Sequence, residues 1–447
     1  MFKTLKNAWK IQEIQNKILF TLLIILLYRL GSAIMVPYVS KDVVDYFATN
    51  LSGSVLDYLS ILSGGALSQA TFFALSVSPY ITSSIVIQLL TVAFPNSLGK
   101  LAKDGEEGQK KIKKYTRWIT IGIALVTAYG YTALLGNNGL LDANYVKWNG
   151  MWASSESGFM GTLAAIVIIA SYVAGACIIM WLAELIDAKG IGNGISMILF
   201  FNIVSGAPQL IRDIWNMMFV ENKDQIWLGI LLGVLSIVLT IAMVLLIVWV
   251  THSERRIPIQ YAKRVVGRKM YGGQGTHLPI KLNMTGVMPI IFASSIVSVP
   301  VTIAMFFQGT PFGDWVTEHL GPDSWVYILV YLVLIVAFAY FYVLISFNPM
   351  EVANNIKNNG GAVPGIRTGR PTAEYITKIL NRITLIGAFF LIIVAGLPMI
   401  VNAATAGSFK SLAFGGSSML IVIGVAIETF RDIEAQITMR NYKGFLD

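Results

Sequence analysis

The chain has 447 residues, of which 55% are hydrophobic and 13% charged, about half the charged share of a soluble domain. It carries a net charge of +9, a single cysteine, Cys177, inside an apolar run, and three histidines, His252, His277 and His319, far apart. These figures exclude a disulfide framework, leave no metal or cofactor expected, and read as a polytopic membrane protein whose charge matters by its position relative to the spans.

Near the start, Lys3, Lys6, Lys10 and Lys17 precede the apolar Ile18–Leu27, which is the layout of a signal peptide. The apolar stretch continues through Arg29 to Val36 without a small-residue cleavage site, so a retained first helix is expected. A stub follows in which Val55, Leu56, Leu59 and Leu62 recur at helical spacing. At ~1.5 Å per residue, Val55–Leu62 rises only about 12 Å, too little to cross a ~30 Å hydrocarbon core. Gly64-Gly65 breaks it, and Thr71–Phe94 is uncharged and long enough to span, with Pro79 inside and Ser76, Ser78, Thr82, Ser83 and Ser84 along it. Two readings of residues 51–69 stand side by side: an external loop with an amphipathic turn, or a piece that enters the membrane and fills a hole. Irregular backbone at membrane depth is tolerated only where protein or water surrounds it.

Ten segments are apolar enough to span, at about 18–36, 71–94, 118–135, 159–186, 195–211, 226–250, 286–307, 325–347, 383–401 and 412–427. An even number puts both ends on one side. With the N-terminus in the cytoplasm, five of the 33 Lys and Arg fall outside (Lys41, Lys147, Arg212, Lys223, Lys410), Arg29 lies in the first span, and the other 27 are cytoplasmic. That bias orients the chain. Three cytoplasmic loops are long and basic: 95–117 and 251–282 with seven Lys/Arg each, and 348–382 with five. Their length, with Tyr, Pro and Gly interleaved, suggests docking surfaces.

Covalent chemistry finds no support, so no enzyme is expected. The sequence has no Walker motif, dinucleotide fingerprint or HExxH, and no Ser-Lys, Ser-His or paired-Asp arrangement. GIGNG at Gly190–Gly194 joins two spans and reads as a tight turn needing positive φ. Ionisable residues within the spans are scarce: Arg29, and Glu184 and Glu428 close to cytoplasmic ends. An ion-coupled secondary transporter, the alternative reading, places more such groups at mid-membrane; their scarcity favours a passive pore driven by a partner.

Several stretches resemble the SecY family, the pore-forming subunit of the bacterial protein-translocation channel. They are YRLGS (Tyr28–Ser32), SGGALSQATFFAL (Ser63–Leu75), PYITSSIVIQLLT (Pro79–Thr91), GEEGQKKIKKYTR (Gly105–Arg117), KGIGNGISM (Lys189–Met197), the run Tyr261–Ile296 with THLPIKLN, FNPMEVANNIKNNGGAVPGIRTG (Phe347–Gly369) and FGGSSMLIVIG (Phe414–Gly424). The segment after Pro37, residues 137–158 and the short tail after Glu434 depart from the pattern.

The resemblance implies an all-α polytopic membrane protein of ten spanning helices in two pseudo-symmetric halves, residues 1–211 and 212–447, around an hourglass pore. Residues about 54–65 would be a plug, with Val55, Leu56, Leu59, Leu62, Gly64 and Gly65. By motif, the pore ring would be Ile81, Ile85, Ile195, Leu199, Ile291 and Ile421. A lateral gate would lie between the second and seventh spans, with the third and eighth flanking, and Ser83, Ser84 and Gln88 would face Ser294, Ser295 and Ser298 through weak hydrogen bonds. Arg255, Arg256, Lys263, Arg264, Arg268, Lys269 and Arg367 would dock the SecA ATPase or the ribosome, and SecE and SecG would brace the channel. Its implied work, in the bacterial cytoplasmic membrane, is to conduct unfolded secretory polypeptides and, at the gate, to meet signal peptides and release transmembrane segments into lipid.

Overall fold

The computed structural model describes residues 9–50, 60–142, 145–149, 152–153, 158–216, 218–219, 226–261, 264–266, 269–271, 275–304, 310–320, 324–404 and 415–443. Each of the ten expected spans falls on a helix. In chain order the helices are α1 (Gln12–Gly31), α2 (Val43–Asn50), α3 (Ser78–Ala93), α4 (Leu98–Lys103), α5 (Gly105–Asn137), α6 (Gly158–Lys189), α7 (Gly194–Ser205), α8 (Ala207–Asn216) and α9 (Ile226–His252). Then follow α10 (Met288–Ala304), α11 (Pro311–His319), α12 (Trp325–Ser346), α13 (Pro349–Asn358), α14 (Arg370–Ala404) and α15 (Gly415–Lys443). Among the described residues seven helical stretches are long and apolar enough to cross a membrane, while Ser78–Ala93 and Met288–Pro300 are apolar but shorter.

The second span differs most from expectation, because its helix begins at Ser78 instead of Thr71. Pro79 sits in the first turn, where its missing N–H costs nothing. Upstream the chain turns instead of coiling. Val36 donates its N–H to the Ala70 carbonyl (3.1 Å) and Phe72 to that of Ile34 (3.0 Å), while Ala70 and Ser76 hold φ of 46° and 50°. Ala70, Thr71, Ser76 and Val77 are all buried, so this non-helical backbone is enclosed by protein. Helix α6 approaches it so closely that a Cβ on Gly175 would collide with the Phe72 carbonyl.

The apolar residues form three membrane cores. One gathers α2, α5 and α6 around residues 67–75, and a second gathers α9, α10, α12, α14 and Leu420. Between them lies a third, built from α1, α6, α7 and α15. Helix α3 contributes to two of these, since Ile85 belongs to the second and Ile81 packs on both the second and the third.

The all-α architecture holds for the membrane part, and the basic loops add a small sheet that the sequence reading did not foresee. Strand β3 (Glu254–Tyr261) pairs antiparallel with β6 (Gly275–Lys281) from Glu254↔Lys281 to Gln260↔Gly275. On its other edge β3 meets β7 (Gly361–Ala362), which comes from the third basic loop. At the hairpin tip β4 (Arg264–Val266) pairs with β5 (Lys269–Tyr271), and a minor pair, β1 (Trp148–Asn149) with β2 (Trp152–Ala153), follows α5. Along β3, Ile257 and Ile259 point into a fourth core with Ile280, Ile356, Val363, Ile376, Leu380 and Ile383. Strict alternation of this kind marks a half-buried strand.

Candidate functional site

Residues 60–77 occupy the middle of the membrane part, and three helices hold them by their backbone. Gly64 and Gly65 take φ of 67° and 86°, ending the one helical turn described at residues 60–62. The carbonyls released there find side-chain donors. Asn202 of α7 donates through Nδ2 to the Leu62 carbonyl (2.9 Å) and to the Tyr28 hydroxyl (2.9 Å). Arg29 of α1 donates through Nη1 to the Gly64 carbonyl (3.4 Å) and through Nη2 to that of Phe201 (2.8 Å). Tyr131 of α5 donates its hydroxyl to the Leu67 carbonyl (2.6 Å), and the Tyr28 ring stacks on Phe73 at 5.3 Å. Of the expected plug residues, Val55, Leu56 and Leu59 lie outside the described residues.

The expected ring residues converge. Leu199 and Ile421 are buried in the third core, and Ile81, Ile195, Ile291 and Leu62 all pack on that same cluster. Ile85 lies in the neighbouring second core, against which Ile81 and Leu62 also pack. Five aliphatic side chains from α3, α7, α10 and α15 therefore meet beneath the stub. Helix geometry makes this possible, since Ile81 and Ile85, like Ile195 and Leu199, are four residues apart on one face.

On the far side of that cluster a cavity of about 340 Å³ opens. Leu199, Ile291 and Ile421 line its apolar end, and Lys281, Glu428, Arg431 and Asp432 line its polar end. Lys281 is the last residue of β6, so the cavity reaches the sheet. Burial, with Arg431 nearby, pulls the Lys281 ammonium below the usual lysine value.

The expected seam is present as helix packing but not with the hydrogen bonds foreseen for Ser83 and Ser294. Helix α10 packs on α3, on α5 and on α12. Ser83, fully buried, shares a 2.6 Å hydrogen bond with Thr120 of α5 and donates to the Tyr80 carbonyl. Ser294 donates to the Ile291 carbonyl and Ser298 to that of Ser295, and Gln88 donates to Ser84 on its own helix (3.4 Å). Hydroxyls in apolar helices commonly satisfy themselves on the preceding turn. Sequence spacing alone does not reveal that choice.

The basic residues divide into those the structure describes and those it does not. Arg255, Arg256 and Arg367 are exposed, with Arg256 paired to Glu254 (2.7 Å). Arg264 and Lys269 sit on the paired tip strands, and Lys263 and Arg268 lie outside the described residues. Arg367 is fixed by its backbone, whose carbonyl accepts from Thr372 Oγ1 (2.8 Å). Sequence reading treated the two loops as separate; the β3–β7 pairing and the shared core join them into one platform. The alternation Ile257-x-Ile259 was the available signal.

Other expectations resolve simply. Gly192 takes a φ of 75°, as the GIGNG turn requires. Glu184 is engaged by Arg117 through a two-pronged contact (Nε to Oε1 2.8 Å, Nη2 to Oε2 2.6 Å), which is a structural use of that carboxylate.

Comparison with known proteins gives one consistent answer. The sequence pattern of the SecY family matches residues 71–430. Protein translocase subunit SecY of Streptomyces coelicolor is 41% identical over 450 residues, covering 100% of both chains. The fold is similar to a solved SecY described for a plug domain that stabilises the closed state of the translocation channel (TM-score 0.61, 18% identity, 94% of this chain and 92% of that one). It is also similar to Sec61 in a canine ribosome-channel complex from the endoplasmic reticulum (TM-score 0.58, 16% identity, 94% and 92%).

Proposed function

The chain belongs to the SecY family, and from that premise we propose that it is the protein-conducting subunit of a bacterial translocon. In this reading unfolded secretory polypeptides pass through the cluster of Ile81, Ile195, Leu199, Ile291 and Ile421, with Ile85 in the neighbouring core. The observation that carries it is the stacking of three layers: a charged cavity on the sheet side, an aliphatic collar, and the stub ending at Gly64-Gly65 on the other side. A thin apolar collar excludes water and ions, which would lose hydration without gaining partners. A long apolar tunnel would impose several kcal/mol on each charged residue of a passing chain. One layer therefore seals at the lowest cost to transport.

In the same reading residues 1–211 and 212–447 are the two halves, and both termini and the sheet platform face the cytoplasm. Arg367, Arg255 and Arg256, with Lys263, Arg264, Arg268 and Lys269 at the hairpin tip, dock the SecA ATPase or the ribosome. A Lys/Arg-rich surface meeting ribosomal RNA would bind with steep salt dependence. SecE and SecG brace the helices from outside. Signal peptides and nascent transmembrane segments part α3 from α10 and leave into lipid.

The test is single-channel conductance in a planar bilayer, comparing the chain with a deletion of residues 55–65. A silent parent and a flickering, ion-conducting deletion are expected. Silence from both, with SecE present, would overturn the aqueous pore.

A further inference from the structure

Arg29 is costly where it sits. Guanidinium at membrane depth is rare and is retained where it pairs or binds backbone. Among the described residues it makes no ion pair. Its donors go to two carbonyls, Gly64 at the stub's end and Phe201 in α7, while Asn202, the next residue, takes the Leu62 carbonyl. Leu62 and Gly64 end the helical turn at 60–62, where carbonyls have no helical partner and carry the negative end of the peptide dipoles. A cation and an amide therefore replace the missing helix turn.

Gly64 fits this joint from the other side. With φ at 67°, a Cβ there would lie 2.7 Å from Arg29 Nη1, 2.9 Å from Nη2 and 3.1 Å from Asn202 Oδ1. A side chain at this position would strain the backbone and push the Arg29 guanidinium off its carbonyl.

We propose that Arg29 and Asn202 form a latch that sets the threshold for displacing the stub. They act as positioning residues for gating, and the proposal rests on the channel reading above. To leave, the stub must exchange the Arg29 and Asn202 donors for water at its Leu62 and Gly64 carbonyls. Leu62 also packs on the cluster that holds Leu199, Ile291 and Ile421, so widening that collar loosens the seat of the stub. Stub release and opening of the collar are therefore coupled through Leu62, and a polypeptide that does not widen the collar leaves the latch shut.

The experiment compares Arg29→Met, Arg29→Lys, Asn202→Ala and Gly64→Ala with the parent and with the 55–65 deletion. One readout is opening frequency in planar bilayers, and a second is the ratio of export for a weak-signal to a strong-signal substrate. Arg29→Met is expected to raise both about tenfold, the size of one lost charged hydrogen bond. Arg29→Lys should fall between it and the parent, since an ammonium holds a charge there without the fork. Gly64→Ala reaches the same joint without altering α1 or α7, so a folding failure of the Arg29 variants leaves the idea exposed to test. A purely structural role predicts lower protein level with both readouts at the parent's value, and that result overturns the latch. If the deletion conducts while the variants stay silent, the latch alone falls; if the deletion is also silent, the channel reading falls and the latch with it.

Discussion

The stub segment at residues 60–77 and the sheet β6–β3–β7 both depart from a simple bundle of spanning helices, yet they are held by opposite means. A few directional bonds fix the stub: Asn202, Arg29 and Tyr131 each take one or two carbonyls. An unbroken antiparallel register and a core of isoleucines fix the sheet. Hydrogen bonds within membranes average only ~0.6 kcal/mol, because each alternative state finds partners too. Buried isoleucine offers no such exchange, since exposing one costs roughly 1.5–3 kcal/mol. The bonds of the stub are of a kind that can be exchanged for others, and those of the sheet are of a kind that hold a fixed shape.

That contrast can be broken first at its strongest point. Arg367→Glu, on the platform, is expected to abolish motor-driven or ribosome-driven transport, a loss of at least about tenfold on the scale of a reversed docking charge. Its protein level in the membrane and its ion leak should match the parent; translocation into proteoliposomes with intact rates would refute the docking role. Next, Ile257→Ala removes a side chain that is 2% exposed and should cost the platform about 2–5 kcal/mol. Faster hydrogen exchange in β3 and β6 without any rise in conductance is the expected pattern. A leak in that variant would mean that the two regions are not independent. The smallest effect belongs to the seam: Ser83→Ala loses the bond to Thr120, ~0.6 kcal/mol. Export of weak-signal substrates should shift by less than threefold, and Ser294→Leu, which adds bulk between α3 and α10, by more.

Much of this was legible before any coordinates. Long apolar runs marked the spans, because hydropathy acts locally along the chain. Gly64-Gly65 marked the end of the stub for the same local reason. Partners chosen across space were not legible. Ser83 turns to Thr120 and not to α10, and Ala70–Phe72 stays out of helix because Ala70 is bonded to Val36 and Phe72 to Ile34. Arg29 stood out as an anomaly, but its carbonyl partners lie 35 and 172 residues away. The strands were only faintly legible, because the alternation Ile257-x-Ile259 is two positions long in a stretch dominated by basic charge.

The short start of α3 carries one more consequence. At 16 residues it rises about 24 Å, under the ~30 Å of an average hydrocarbon core. One wall of the seam thus falls short of the hydrocarbon it borders. Lipid tails beside it must thin or tilt to avoid leaving helix ends in oil, at fractions of a kcal/mol per ångström of mismatch. Bilayer thickness then becomes a variable in how readily a hydrophobic segment leaves sideways. Reconstitution in short-chain and long-chain lipids should give different insertion efficiencies, with the thinner bilayer easing exit; equal efficiencies would mean that the neighbouring helices shield the seam from lipid altogether.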